Sequence, residues 1–137
     1  MVSFDGEFGT RVYHRLQHEL VIWLTTVSND GTPQPNPVWF LWDGETCLVY
    51  SKPDTAKVHN ISHRSKVALH FEGAAVDGGD VIILYGEARV NLNTGPIPAA
   101  YRRKYKQAIK DFGYTWEQMH SEYSAAISIR LTKYRGF

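Results

Sequence analysis

The sequence predicts a mainly β fold, with six antiparallel strands closed into a small barrel and helices at its periphery. Three observations carry that expectation. Short β-branched or alternating segments recur along the 137 residues, and the first three are joined by tight turn signals at Asp30-Gly31 and Asp43-Gly44. Such close spacing favours antiparallel neighbours, and six strands of one short chain close most economically into a barrel. Aromatic residues reach 13%, with four Trp, eight Tyr and six Phe, which suits a β-rich core or a site for a flat ligand.

Each element follows from its residues. Val12, Leu16 and Leu20 recur at four-residue spacing, predicting a short amphipathic helix over residues 10–20. Val21 to Val27 is β-branched and aromatic, the first strand, and Ser28 to Pro33 turns the chain. Residues 35–42 predict a second strand, although Pro35 and Pro37 bring no ladder donors, as suits a sheet edge or a strand entrance. Thr46 to Tyr50 is the third strand. A helix of about ten residues follows Thr55, with Val58 and Ile61 on one side. Val67, Leu69 and Phe71 alternate with polar residues in a strand with one wet face. Beyond a loop over residues 73–80, Val81 to Val90 form the clearest strand, where Gly86 marks a bulge or a close backbone approach. Pro96 to Phe112 predict a helix stopped by Gly113, and Thr115 with Gln118 forms a capping box for another. Ala125, Ile127, Ile129 and Leu131 alternate as the last strand. No repeat or linker interrupts this order, so residues 1–137 are expected to form a single domain.

Composition removes several function classes. Fifteen basic against fourteen acidic residues leave a formal charge of +1, too little for a strong pull on nucleic acid or acidic lipid. No apolar run approaches the roughly eighteen residues of a membrane span. The opening Met1 to Glu7 lacks the basic flank and apolar core of a signal peptide, so a cytoplasmic protein is expected. The single cysteine forms no internal disulfide, and CxxC chemistry is excluded.

Side-chain catalysis finds little support. Cys47 sits in an apolar strand and reads as core packing. No GxSxG, Walker or GxGxxG turn is present. His14 and His18, like His59 and His63, are four apart, but no third ligand or HExxH context accompanies either pair. They read as exposed helix residues, so neither a metal nor a catalytic side chain is assigned. Two other stretches are more informative. Ser51-Lys52-Pro53-Asp54-Thr55-Ala56-Lys57 joins a strand to a helix start, where free N–H groups, hydroxyls and two lysines suit a phosphate. Gln34-Pro35-Asn36-Pro37-Val38-Trp39-Phe40 offers unpaired backbone, amides and aromatics to a flat heterocycle. If the two stretches belong to adjacent hairpin strands, a ring on one can place its phosphate on the other.

These residues, with Thr25-Thr26-Val27, Asn60-Ile61, Val67-Ala68-Leu69 and Tyr85-Gly86-Glu87-Ala88, resemble the pyridoxamine 5'-phosphate oxidase-like split-barrel family. The similarity is strongest to its branch that uses the deazaflavin coenzyme F420. It covers residues 10–90 well and the remainder up to Phe137 more loosely. The resemblance implies a homodimer of six-stranded split barrels with two cofactor sites at the subunit interface. It implies that Gln34, Pro35, Asn36, Pro37 and Val38 line the tricyclic ring. Tyr50, Ser51 and Lys52 then follow the ribityl chain, and Ala56 and Lys57 meet the phosphate. The chain departs from true pyridoxamine phosphate oxidases, lacking their C-terminal Arg-x-His segment and ending Thr132-Lys133-Tyr134-Arg135-Gly136-Phe137. That argues against vitamin B6 oxidation.

Flavin mononucleotide (FMN) and coenzyme F420 share the ring shape, the ribityl chain and the first phosphate, so residues 51–57 do not separate them. The acidic tail of the deazaflavin suits a basic groove, which Arg102, Arg103, Lys104 and Lys106 could provide unless they are only a solvated helix face. The branch resemblance points to coenzyme F420, with FMN as the alternative. The expected function is hydride transfer from reduced coenzyme F420 to an unsaturated or quinone-like small molecule. An FMN-dependent oxidoreductase of the same fold and a non-catalytic flavin or deazaflavin binder are the alternatives. Trp39, Trp42, Tyr85 and Trp116 are candidates for a substrate-facing wall, or else core aromatics. A barrel stacking single-stranded nucleic acid is disfavoured by the near-neutral charge.

Overall fold

Seven strands, one more than expected, form a single antiparallel sheet in the computed structural model, which describes residues 2–73, 76 and 78–137. The strands are β1 (Ile22–Val27), β2 (Pro33–Val38), β3 (Leu41–Trp42), β4 (Thr46–Ser51), β5 (Lys66–His70), β6 (Ile82–Asn91) and β7 (Ala125–Gly136). The helices are α1 (Gly6–His18), α2 (Ala56–His63), α3 (Ala99–Lys104), α4 (Lys106–Phe112) and α5 (Trp116–Glu122). Within the expected loop over residues 73–80, Ala74, Ala75 and Asp77 lie outside the described residues, as does Met1.

The extra strand arises because residues 35–42 do not run as one. The sheet order is β2-β1-β5-β6-β7-β4-β3, so β2 and β3 occupy opposite edges. Only Trp39 and Phe40 separate them, and three Cα steps reach at most about 11 Å. Edges joined by so short a bridge require a sheet rolled nearly closed and left open between β2 and β3: a split barrel. The register also explains the prolines. Pro33, Pro35 and Pro37 lie opposite Val27, Thr25 and Trp23, alternating with Gln34, Asn36 and Val38. A proline fits an edge ladder where its missing N–H faces away from the neighbour.

Alternation along the strands fills the barrel. Ile22, Leu24, Cys47, Val49, Leu69, Ile127 and Ile129 are buried inside it, and α1 adds Val12 and Leu16. That helix begins earlier than expected and ends at His18, where Glu19 turns extended; Leu20 lies beyond it and is 52% exposed. The expected irregularity at Gly86 is present as a register shift between Tyr85 and Gly86. A Cβ there would lie 2.8 Å from the Arg130 carbonyl oxygen. Strand β7 outlasts its apolar alternation because β6 offers it a ladder all the way to Gly136.

The helix expected over residues 96–112 is broken at Tyr105, whose backbone (φ −108°, ψ 15°) separates α3 from α4. The capping box of α5 forms as expected: Gln118 N donates to Thr115 Oγ1 at 3.1 Å and Thr115 N donates to Gln118 Oε1 at 2.8 Å. Helices α3–α5 build a second core from Ile97, Tyr101, Tyr105, Ile109 and Met119. It packs on Trp39, Leu41 and Tyr50, outside the barrel at the crossing between its edges. Among the described residues no helix is long and apolar enough to cross a membrane.

Candidate functional site

Where the second core meets the barrel edge, packing is incomplete and leaves a cavity of about 550 Å³. That lies within the range of roughly 300–1,000 Å³ common for small-molecule sites. Pro37, Val38 and Trp39 form its β2 side, Tyr50 comes from β4 and Lys57 from α2. The opposite wall is supplied by Tyr101, Ile109, Phe112, Tyr114, Met119 and Tyr123.

Of the ten residues singled out from sequence, four therefore line one cavity: Pro37, Val38, Tyr50 and Lys57. They do not meet as adjacent hairpin strands. Strand β2 pairs with β1, and of residues 35–42 only Leu41 and Trp42 pair with β4. The two stretches approach instead across the split of the barrel, because the sheet is rolled.

The other six stand around the cavity without lining it. Gln34 Oε1 accepts a 2.7 Å bond from Asn60 Nδ2, which also donates to Thr26 Oγ1 at 3.0 Å. Asn60 is 3% exposed, so this pair locks α2 against β1 and β2. Pro35 is exposed and Asn36 half-buried on the same edge strand. Ser51 is buried, its hydroxyl 2.9 Å from the Lys52 carbonyl and 3.0 Å from Thr55 Oγ1. Lys52 is exposed, with Nζ 5.7 Å from the centre of the Tyr123 ring, and Ala56 is exposed at the first position of α2.

Electrostatics distinguish Lys57. Thr55 makes no capping bond to α2, because its hydroxyl is engaged with Ser51 and the Lys52 carbonyl. The first N–H groups of α2 are thus left for another acceptor. Lys57 sits in that turn, half-buried, and burial alone pulls its ammonium below the ordinary lysine range. Among the described residues no carboxylate pairs with it. A partly desolvated, unpaired ammonium beside a free helix N-terminus is unfavourable by itself and favours an anion.

The aromatic wall was largely missed from sequence. Of the four candidates, Trp39 lines the cavity and stacks on Tyr105, centroids 4.5 Å apart and 5° from parallel. Trp116 backs the wall edge-on to Tyr101 at 6.2 Å. Trp42 packs away from it with Phe4 and Tyr13, and the Tyr85 hydroxyl accepts from Arg135 Nε at 3.0 Å. The signal that could have found the rest is the type of aromatic. Tyr101, Tyr105, Tyr114 and Tyr123 cluster in α3 and in the joints that follow α3, α4 and α5. Among the basic residues of α3, Lys104 turns inward: its Nζ donates to the Phe40 carbonyl at 2.7 Å and lies 3.7 Å from the centre of the Phe40 ring. It is therefore not part of a solvent-facing basic groove. Arg102 lies over Trp116 instead. A flat aromatic ring with an anionic arm fits these donors and walls.

The fold and cavity place the chain among known proteins. A family model described as pyridoxamine 5'-phosphate oxidase matches residues 11–135, and the chain belongs to that family. No curated protein matches it significantly. Among solved structures, an F420 reductase is 24% identical, covering 89% of this chain and 94% of its own, with a TM-score of 0.67. Group A Streptococcus HupZ is 17% identical, covering 100% and 94%, with a TM-score of 0.61. HutZ from Vibrio cholerae, a heme storage protein, is 11% identical, covering 93% and 92%, with a TM-score of 0.64. At these identities the likeness establishes the shared split-barrel fold.

Proposed function

We propose that the protein is an oxidoreductase that binds coenzyme F420, with FMN as the alternative, and passes a hydride to an unsaturated or quinone-like small molecule. The observation that carries this reading is the unpaired Lys57 at the start of α2, opening on an aromatic cavity. When bound, the ring supplies the hydride chemistry, so no side-chain nucleophile is needed. The residues of the chain hold and shield. Lys57 and the first N–H groups of α2, at Ala56, meet the phosphate. Pro37 and Val38 lie along the ring, with Gln34, Pro35 and Asn36 continuing the same edge. Tyr50, Ser51 and Lys52 follow the ribityl chain, and the apolar wall of α3–α5 excludes water.

The protein works as a homodimer of single-domain chains. Phe112 is 71% exposed and Val21 is also exposed, although both line the cavity, and a second chain would cover them. The activity test follows oxidation of reduced coenzyme F420 in the presence of menadione and a panel of activated alkenes. Turnover with one of these supports the oxidoreductase reading. Tight cofactor binding with no hydride transfer to any of them leaves a non-catalytic binder.

A further inference from the structure

Tyr101 and Tyr105 lie one helical turn apart and are both almost wholly buried, yet their hydroxyls have opposite fates. The Tyr105 oxygen accepts the Phe40 amide and lies 2.8 Å from the Leu20 carbonyl and 3.0 Å from the Phe40 carbonyl. Its bonding capacity is filled by backbone. The Tyr101 hydroxyl has no hydrogen-bond partner among the described residues, although the residue is 1% exposed. The hydroxyl oxygen itself is not fully buried, so the little surface that Tyr101 keeps includes this unpaired donor. Tyr101 lines the cavity, which gives that donor an open space to face.

Tyr50 strengthens the case from a different element. Its ring meets Tyr101 edge-on, centroids 5.1 Å apart at 84°, and its hydroxyl is likewise without a partner among the described residues. It also lines the cavity. Burial raises both phenols above the ordinary tyrosine value, so both remain protonated and able to donate. No acidic or amide side chain lines the cavity to receive those protons. Its polar side chains are tyrosines, Lys57 and the Trp39 indole, and the Tyr114 hydroxyl is already donated to Glu122. A ligand that pairs with these O–H and N–H donors brings acceptors.

We propose that the hydroxyls of Tyr101 and Tyr50 form a paired donor site that recognises a carbonyl oxygen on the conjugated ring system bound in the cavity. This deepens the functional reading above and rests on its assignment of the cavity as the ligand site. It narrows the ligand from unsaturated molecules in general to carbonyl-bearing ones. Tyr101 acts as a fixed donor and not as an acid, because burial disfavours its phenolate. The oxygen can come from the substrate or from the cofactor ring.

The test compares wild type, Tyr101→Phe and Tyr50→Phe, each checked for an unchanged thermal transition, in titrations followed by tryptophan fluorescence. The probes are menadione, a quinone, and 2-methylnaphthalene, its hydrocarbon counterpart, with coenzyme F420 and FMN titrated alongside. Wild type should prefer menadione. Either variant should weaken menadione about two- to tenfold, as for loss of one neutral hydrogen bond, and leave the hydrocarbon unchanged. If instead Tyr101→Phe, whose residue has no part along the ribityl chain, weakens coenzyme F420 or FMN and not menadione, the recognised oxygen belongs to the cofactor ring and the site stands. Equal losses for menadione and the hydrocarbon, no loss for any probe, or no wild-type preference for menadione with the cofactors unaffected would each overturn it. Failure of wild type to bind either cofactor, with the tyrosine effect on menadione intact, would sink the cofactor assignment alone.

Discussion

The hydroxyl of Tyr105 accepts the backbone N–H of Phe40 at 2.8 Å, 65 residues away in sequence. This bond ties the break between α3 and α4 to the two-residue bridge between the edges of the barrel. It holds in one place the Trp39 side chain, the end of β2 and the second core. Tyr105→Phe leaves the buried Phe40 amide without that partner. Chemical denaturation should show a loss of about 1–3 kcal/mol with an unchanged denaturant slope. Tyr101→Phe, which removes no protein hydrogen bond, should change stability by less than about 0.5 kcal/mol.

Gly86 is fixed by close approach and not by its dihedral angle. An added methyl group would lie 2.8 Å from both the Arg130 carbonyl oxygen and Ile129 Cγ2. Backbone is the less yielding of the two, so β6 and β7 must separate at the bulge. Gly86→Ala should destabilise the fold by about 1–3 kcal/mol in the same assay. A neutral result would show that the bulge relaxes.

Lys104 gives the stability a pH signature. Burial brings its ammonium down from 10.5 to about 8 in the folded chain. Between those values the unfolded chain holds the proton more tightly, so stability rises with pH across the window. Below about 8 the cost of burying the charge is fully present. Denaturation at pH 7 and at about pH 9.5 should show a larger rise for wild type than for Lys104→Met. Equal slopes would mean the ammonium is not desolvated as its position over Phe40 implies.

The proposed homodimer covers exposed apolar residues at the cavity rim. Light scattering at micromolar concentration should return the mass of two chains. A single-chain mass with cofactor bound would contradict the shared-site arrangement.

Much of the barrel was legible because its signals are local. Asp30-Gly31 and Asp43-Gly44 make their turns with positive φ at Gly31 and Gly44, and Thr115 caps α5. What was not legible depends on distant partners. Residues 35–42 carry one strand-like pattern, and only the roll of the sheet divides them between opposite edges. The break at Tyr105 likewise leaves the helical pattern intact while its hydroxyl is held by residues 65 and 85 positions away. For the site, Lys57 and Pro37 could be found through the chemistry of a strand edge and a helix start. The apolar part of the wall could not, because Ile109, Phe112 and Met119 look like core positions of any helix, and only packing reveals which side meets a cavity.

The central claim is that Lys57 anchors the anionic arm of a flavin-type ring. Its most direct test is a side-by-side titration of cofactor-free wild type and Lys57→Ala with coenzyme F420 and FMN, followed by ring fluorescence. Wild type should bind coenzyme F420 in preference to FMN. The variant should lose about 1–3 kcal/mol of that binding, the range for hydrogen bonds to a charged group. Affinity of wild type should also fall as rising pH removes the Lys57 proton, earlier than for an ordinary lysine. Identical affinities for wild type and variant, or no binding of either cofactor, would contradict the account.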